Sequence, residues 1–261
     1  MKLEEIYSVL EKIAPVALSD EFCKKFDMYD NSGIIINCGG EINGVVFSLD
    51  LSEKAVDKAK RLGYNLIVTH HPAVYYGIKK FDLPRDGQAR ALAECMKCGI
   101  SVISMHLNFD AAPEGIDYYL MKGLGGENAS VAASLSGGGY GRVYEVGKQT
   151  LGKFCAHIGK EFCTERIIVY GDMERNISKV ASFCGAGCDD YNMAFAKNHG
   201  ADVFLSSDMK HHEISGLVSS GTAVIVMTHY ASESYGLNKI FEKIKGEFKV
   251  PAEYFREDEL L

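Results

Sequence analysis

The residues best suited to chemistry are histidines and acids that follow short apolar runs. Leu66-Ile67-Val68-Thr69 leads directly into His70-His71-Pro72. Ile100 to Ser104 leads into Met105-His106-Leu107-Asn108-Phe109-Asp110, and Thr222 to Met227 into Thr228-His229-Tyr230-Ala231-Ser232-Glu233. Neutral imidazole and ionised carboxylate are ligands for divalent first-row metals. In a continued strand His70 and His71 would point to opposite sides, which lets them serve different ions. His229 and Glu233 lie four residues apart, as do His106 and Asp110, so each pair shares a face if the chain is helical there. A carboxylate can bridge two cations, and the short side chain of Asp110 makes it the preferred bridge. Two ions about 3.5–4 Å apart would activate water and clamp a phosphate or carbonyl.

Catalytic roles are assigned to Asp110 as bridge and to His106 as acid/base, provided His106 is not itself a ligand; imidazole is suited to proton transfer near neutral pH. Tyr76, Tyr230 and Asn108 are candidates to orient substrate. His211 and His212 follow Asp208-Met209-Lys210; they either border the same cleft or are polar helix residues. His157 has no obvious acid partner and reads as structural.

These groups need elements to carry them. Leu3, Ile6, Leu10 and Ile13 recur at helical spacing, and Pro15 ends that helix. Tyr29-Asp30-Asn31-Ser32-Gly33 has turn composition, with Asp30 and Asn31 holding the turn or orienting a ligand. Gly44 to Leu49 reads as a strand, Asp50 with Glu53 as a capping pair for a helix to Arg61, and Asn65 to Thr69 as the next strand. This strand–helix–strand unit predicts a parallel sheet. A loop over 73–84, a helix over 86–97 and a strand over 100–104 follow, and Pro113 opens a short helix. The glycines of 125–141 mark a domain boundary or a mobile loop, without the lysine–serine or lysine–threonine pair of a phosphate-binding loop. Strands are expected over 142–146, 166–170, 179–183, 201–205 and 222–227. Helices are expected over 150–161, 190–198, 208–219 and 232–245, before a charged tail. The second segment can lie between parts of the first domain, with the last helix returning to the first sheet.

The chain has 261 residues, 47% of them hydrophobic, enough for one large core or two smaller ones. No apolar run reaches membrane-spanning length, and the amphipathic, acidic N-terminal stretch is unlike a signal peptide. The formal charge of -7 disfavours nucleic acid as a partner. Eight cysteines in a signal-less chain of this size read as reduced thiols in the cytoplasm. Cys95 and Cys98 fall in a helical run and read as helix residues. Cys184 and Cys188 flank Gly185-Ala186-Gly187, where one spacing alone assigns no role.

Taken together, the order and spacing of these blocks resemble the NIF3-like (DUF34) family, often described as GTP cyclohydrolase 1 type 2 homologues. The resemblance spans nearly the whole chain. It rests on Tyr29-Asp30-Asn31-Ser32-Gly33, Thr69-His70-His71-Pro72, His106 to Asp110, Cys184-Gly185-Ala186-Gly187, Ala201-Asp202 with Asp208 to His212, and His229 to Glu233. It implies an α/β NIF3-like fold of two domains with the metal site at the interdomain cleft. The expected division is 1–126 with about 228–261 as the first domain, bearing most ligands, and 127–227 as the second. It further implies a dinuclear centre made by His70, His71, Asp110, His229 and Glu233, with His106 beside the ions or contacting one. The Gly185-Ala186-Gly187 turn and the His211-His212 region would line the cleft. Two divalent ions per subunit are expected, with iron, zinc, manganese, nickel and cobalt all compatible, in a toroidal homohexamer.

The chain departs from the family pattern at Tyr29, where tryptophan is common, at Leu107 and Phe109, at Ser207-Asp208 in place of a Gly-Glu pair, and at Cys188. The ligand types survive these changes, while the pocket is altered. The expected function is a metal-dependent hydrolase of a small molecule, with GTP-like nucleotides, related heterocycles or phosphoesters as candidates. The alternative is a non-catalytic, metallochaperone-like metal-binding hexamer.

Overall fold

Three four-residue runs, Val-Val-Phe-Ser, Leu-Ile-Val-Thr and Ser-Val-Ile-Ser, are buried at every position. Near-continuous apolar strands of this kind belong to parallel sheets covered on both faces. The computed structural model describes all 261 residues. In chain order they form α1 (Leu3–Ile13), α2 (Val16–Phe26), β1 (Gly33–Ile36), β2 (Val45–Ser48), α3 (Glu53–Leu62), β3 (Leu66–Thr69), α4 (Gly87–Cys98), β4 (Ser101–Ser104), α5 (Leu107–Ala111) and α6 (Ile116–Gly123). There follow β5 (Glu127–Leu135), β6 (Gly138–Thr150), α7 (Leu151–Glu161), β7 (Ile167–Tyr170), β8 (Asn176–Ser182), α8 (Asp190–Asn198), β9 (Val203–Ser206), α9 (His211–Ser219), β10 (Ala223–Met227), α10 (His229–Ile244) and β11 (Ala252–Tyr254). They divide into two units, Met1–Ala112 with Leu237–Arg256, and Pro113–Gly236 with Glu257–Leu261.

In the first unit the sheet order is β1-β4-β3-β2-β11, with β1 antiparallel and the rest parallel. Val46, Ile67 and Val102 face α3 and α4 and pack with Val56, Ala59, Ala91, Leu92 and Cys95. Phe47, next along β2 and so on the opposite face, meets Phe241 of α10 and Phe248 at centroid distances of 5.2 and 5.9 Å. The parallel strand–helix–strand unit is therefore present. Its cap is not Asp50: the Ser52 hydroxyl accepts from the Ala55 N–H, and Gly63 closes α3 in the left-handed region at φ +70°. Asp50 lies two residues too early to cap, and its carboxylate is engaged elsewhere. In this unit α2, β1 and β11, the last within the charged tail, were not anticipated.

In the second unit the sheet order is β5-β6-β8-β9-β10-β7, with β8, β9 and β10 parallel. The glycine-rich stretch expected to be a boundary or mobile loop is mostly a long antiparallel pair, β5 and β6. Its glycines serve close approach: a Cβ at Gly141 would run into the Phe183 ring, and one at Gly139 into Val131 and Ala133. The preceding helix belongs with this pair, because the buried Asp117 carboxylate of α6 accepts from Gly141 N–H at 3.0 Å and from the buried Arg142 guanidinium of β6. At the start of α10, Gly236 lies against the Ile116 backbone and Tyr235 packs on Phe162 at 4.6 Å. These contacts hold residues 113–126 and 229–236 to the second unit, whereas the expected division places both in the first. No helix is long and apolar enough to cross a membrane.

Removing one partner of a buried ion pair leaves the other charge uncompensated. Asp117→Ala is therefore expected to destabilise the protein by about 3–5 kcal/mol in urea unfolding, and Asp117→Ala with Arg142→Met to recover most of the loss.

Candidate metal centre

Parallel strands deliver their carboxyl ends to one edge of a sheet, and chemistry on α/β folds gathers there. In the first unit that edge receives Leu49-Asp50 after β2, His70-His71 after β3 and Met105-His106 after β4. β1 runs the other way and pairs Gly33 with Ser104, so Asp30 and Ser32 arrive at the same edge from the opposite direction. The chain turns sharply after β3: the His70 and His71 N–H groups both donate to Leu49 O, and the Thr69 hydroxyl donates to His71 O at 2.8 Å. His70 is thereby fully buried.

Each imidazole is oriented by an acceptor at Nδ1. His70 Nδ1 donates to the Met105 carbonyl at 2.9 Å, His71 Nδ1 to Asp50 at 2.7 Å, and His106 Nδ1 to Asp30 at 2.7 Å. A carbonyl can only accept, so the His70 proton sits on Nδ1 and the lone pair on Nε2. The three imidazoles bring one nitrogen each within 4.8 Å of one another. α5 starts directly after His106, and the Asp110 N–H donates to His106 O. The Asp110 carboxylate then lies 3.5 Å from His70 Nε2.

Asp30 is the most heavily bonded acid of this edge. It accepts from Ser19 Oγ at 2.5 Å and Ser32 Oγ at 2.6 Å as well as from His106. Burial pushes its pKa up, but the bonds and charge from His106 and the two serine hydroxyls outweigh that and hold it well below the usual carboxylate range.

The second unit repeats the arrangement. β8, β9 and β10 are parallel neighbours, and their carboxyl ends lead to Gly185, Asp208 and His229. α10 begins at His229, so Glu233 stands one turn on, with Oε2 3.0 Å from His229 Nε2. His229 Nδ1 donates to Asp208 at 2.5 Å. Gly185 adopts φ +60°, and a Cβ there would strike the Glu233 carboxylate.

This geometry fits metal ligation. His70 and His229 each face an acceptor at both ring nitrogens, yet a neutral imidazole has one proton to give. A carboxylate opposite the remaining lone pair is favourable when a cation stands between them. Nδ1 bound to carbonyl or carboxylate with Nε2 presented outward is the usual support of a histidine metal ligand.

Other expected residues lie as follows. Asn108 is fully buried: its amide donates to Ala14 O at 2.8 Å and its carbonyl oxygen lies 3.1 Å from Ser32 Oγ, so it holds the fold rather than lining an open surface. Tyr230 is 5% exposed, and its hydroxyl accepts from Glu257 N–H. Tyr76 is 70% exposed and stacks on Tyr29 at 5.5 Å. His211 and His212 are exposed in the first turn of α9. His157 donates to Gly123 O at 2.8 Å. Cys95 is a core residue whose thiol is pushed up to about 12 by burial, and all eight cysteines are free. From sequence Asp50 reads as a helix cap and Asp208 only as part of a sequence block; their bonds to His71 and His229 come from position after a strand, readable only once the strand order is known.

Two outcomes follow. Gly185→Ala is expected to displace Glu233 and weaken divalent-metal uptake by about tenfold or more in a chelator competition, with the fold retained in circular dichroism. The depressed pKa of Asp30 contributes stability that is present above its unfolded value, about 4, and is lost as pH falls below it. Thermal melts of metal-free protein from pH 6 to pH 3 should therefore fall more steeply for the wild type than for Asp30→Asn.

The Duf34/NIF3 (NGG1p interacting factor 3) family model matches residues 1–257. A protein of Clostridium perfringens named GTP cyclohydrolase 1 type 2 homolog is 30% identical over 251 residues, 94% of this chain and 92% of that one. Protein NIF3 homolog of Schizosaccharomyces pombe is 26% identical over 244 residues, covering 87% and 85% of the two chains. Among solved structures, a Bacillus cereus protein related to NIF3 matches with a TM-score of 0.85 at 19% identity, covering 98% of this chain and 97% of that one. Reduced HcgD from Methanocaldococcus jannaschii matches at 0.81 and 26% identity, covering 98% of both. The fold is thus the NIF3 fold, and with a family match running nearly end to end, the chain belongs to the DUF34/NIF3 family.

Proposed function

We propose that this chain is a metal-dependent hydrolase in which His70, His71 and Asp110 of the first unit and His229 and Glu233 of the second would hold two divalent transition-metal ions. The observation that carries the reading is the buried His70, its proton committed to the Met105 carbonyl and its Nε2 turned toward Asp110. The matching Asp208–His229–Glu233 series in the second unit supports it. The bound ions would supply an activated water and neutralise charge on a phosphate or carbonyl oxygen.

The remaining chemistry falls to side chains. His106 is held by Asp30 at Nδ1, which leaves Nε2 to accept a proton from the attacking water and return it to the leaving group; the ionised Asp30 stabilises the imidazolium between those events. His106 is 19% exposed at its side chain, so substrate can reach it. Tyr76, His211 and His212 are exposed and available for binding. GTP-like nucleotides, related heterocycles and phosphoesters are the substrate candidates: each has an electrophilic carbon or phosphorus for water to attack. The name carried by the C. perfringens relative favours the first. A cytoplasmic homohexamer is the proposed assembly.

Anaerobic native mass spectrometry with elemental analysis tests the reading. Six subunits carrying about two transition-metal ions each are expected. Asp110→Ala should keep the assembly and lose metal and turnover together. His106→Ala should keep the metal and lower kcat by about 10²–10⁴-fold. Metal-free wild type that cannot be reconstituted would overturn the proposal. Transfer of metal to an acceptor with no hydrolysis of any candidate would replace it with the metallochaperone-like reading.

A further inference from the structure

Asp208 sits in an unusual conformation for its place in the chain. Its φ is +46°, one of four positive values at residues other than glycine. The other three have local explanations. Asp27 closes α2, Cys163 follows the end of α7, and Asn128 stands where the register of β5 against β6 shifts. Asp208 instead comes two residues after a parallel strand, where glycine would meet the same φ without steric strain. Strain that local structure does not require is a pointer to function.

The residues around it show what the strain achieves. Ser206 and Ser207 are fully buried, and both bond to Gly185: Ser206 Oγ donates to Gly185 O at 3.1 Å, and Ser207 N–H donates to the same oxygen at 3.0 Å. The Ser207 hydroxyl donates to Ser232 Oγ at 3.2 Å, and Ser232 in turn donates to His229 O at 2.8 Å and accepts from Gly185 N–H at 3.1 Å. This network ties the ends of β8 and β9 to the first turn of α10 without using Asp208. The Asp208 side chain, 56% exposed, makes its bond to His229 Nδ1 beyond that framework. His229 Nε2 is thereby directed at Glu233.

We propose that Asp208 is a positioning residue for His229: its left-handed backbone aims the carboxylate at Nδ1, which fixes the ring's tautomer and angle and strengthens Nε2 as a metal donor. The inference rests on the metal-centre reading above. A carboxylate behind a ligating histidine raises its basicity, and losing it weakens metal affinity by about 10–100-fold. A purely structural carboxylate would behave differently, because the fold gains from glycine at this φ.

Two variants separate the cases, Asp208→Gly and Asp208→Asn, using the full-length protein loaded with Co²⁺. Asp208→Gly should leave the metal-free melting temperature unchanged or raised. It should weaken Co²⁺ binding by about 10–100-fold in a chelator competition and shift the visible Co²⁺ absorption bands. Asp208→Asn keeps an oxygen acceptor but not the charge, and should fall between wild type and Asp208→Gly. Wild-type affinity and bands in both variants would overturn the inference alone. A lowered melting temperature in both, with Co²⁺ affinity retained in the folded fraction, would overturn it in favour of a structural role. Wild type that binds no Co²⁺ would overturn the metal-centre reading and this inference with it.

Discussion

A neutral imidazole has one lone pair in its ring plane, and the acceptor at one nitrogen decides that it lies on the other. The arrangement of this molecule's functional edges follows from that constraint. At His70 the acceptor is a main-chain carbonyl; at His71, His106 and His229 it is an aspartate. All four rings use Nδ1 for this bond. Their Nε2 atoms are consequently directed away from their supports, at Asp110 from His70 and at Glu233 from His229.

Such supports demand close positional control, and the sheets provide it. The acceptor for each ring comes from a different segment than the ring itself: Asp50 from the end of β2, Asp30 from the turn before β1, Met105 from the end of β4, Asp208 from beyond β9. Parallel neighbours fix these pairings by register, as Thr69 opposite Ser48 and Ser104 shows. The short strands are buried on both faces, so a slip by one residue would exchange the two faces and misplace every ring at once. The apolar cores thus specify the spacing of the imidazoles and their supports as well as holding the units together.

The candidate site residues stand out in the sequence because their types are uncommon at strand ends and fall at metal-compatible spacings. His70, His71, His106, Asp110, His229 and Glu233 all read this way, as did the parallel sheet from its strand–helix–strand unit. Their supports were not legible. Asp50 looks like a helix cap because a glutamate stands three residues on, and only strand order shows that His71 is its neighbour. β5 and the first residues of β6 were obscured because glycine commonly marks turns, whereas here it makes room for Phe183 and for the facing strand. The helix α2 buries only Leu18, Ser19 and Phe22 and has no side-chain cap, so its periodic signal is faint. β11 is three residues inside a charged segment, below the length at which alternation is informative.

The pairing of β11 with β2 joins Ala252 to Val45 across the whole intervening chain. Pro113–Gly236, all of the second unit except Glu257–Leu261, is inserted in sequence between the strands of one sheet. On the ribosome, β2 must wait for its last partner until the second unit has been synthesised, and its outer edge stays unpaired in the meantime. An open apolar edge is a template for another chain. Rapid folding of the inserted unit, followed by delivery of α10 and β11 to the waiting edge, would shorten that exposure. Loop-closure entropy rises only slowly with length, so a folded insert that holds its ends together makes the late closure easier still. The interrupted topology therefore makes completion of the first sheet depend on a strand synthesised after the second unit.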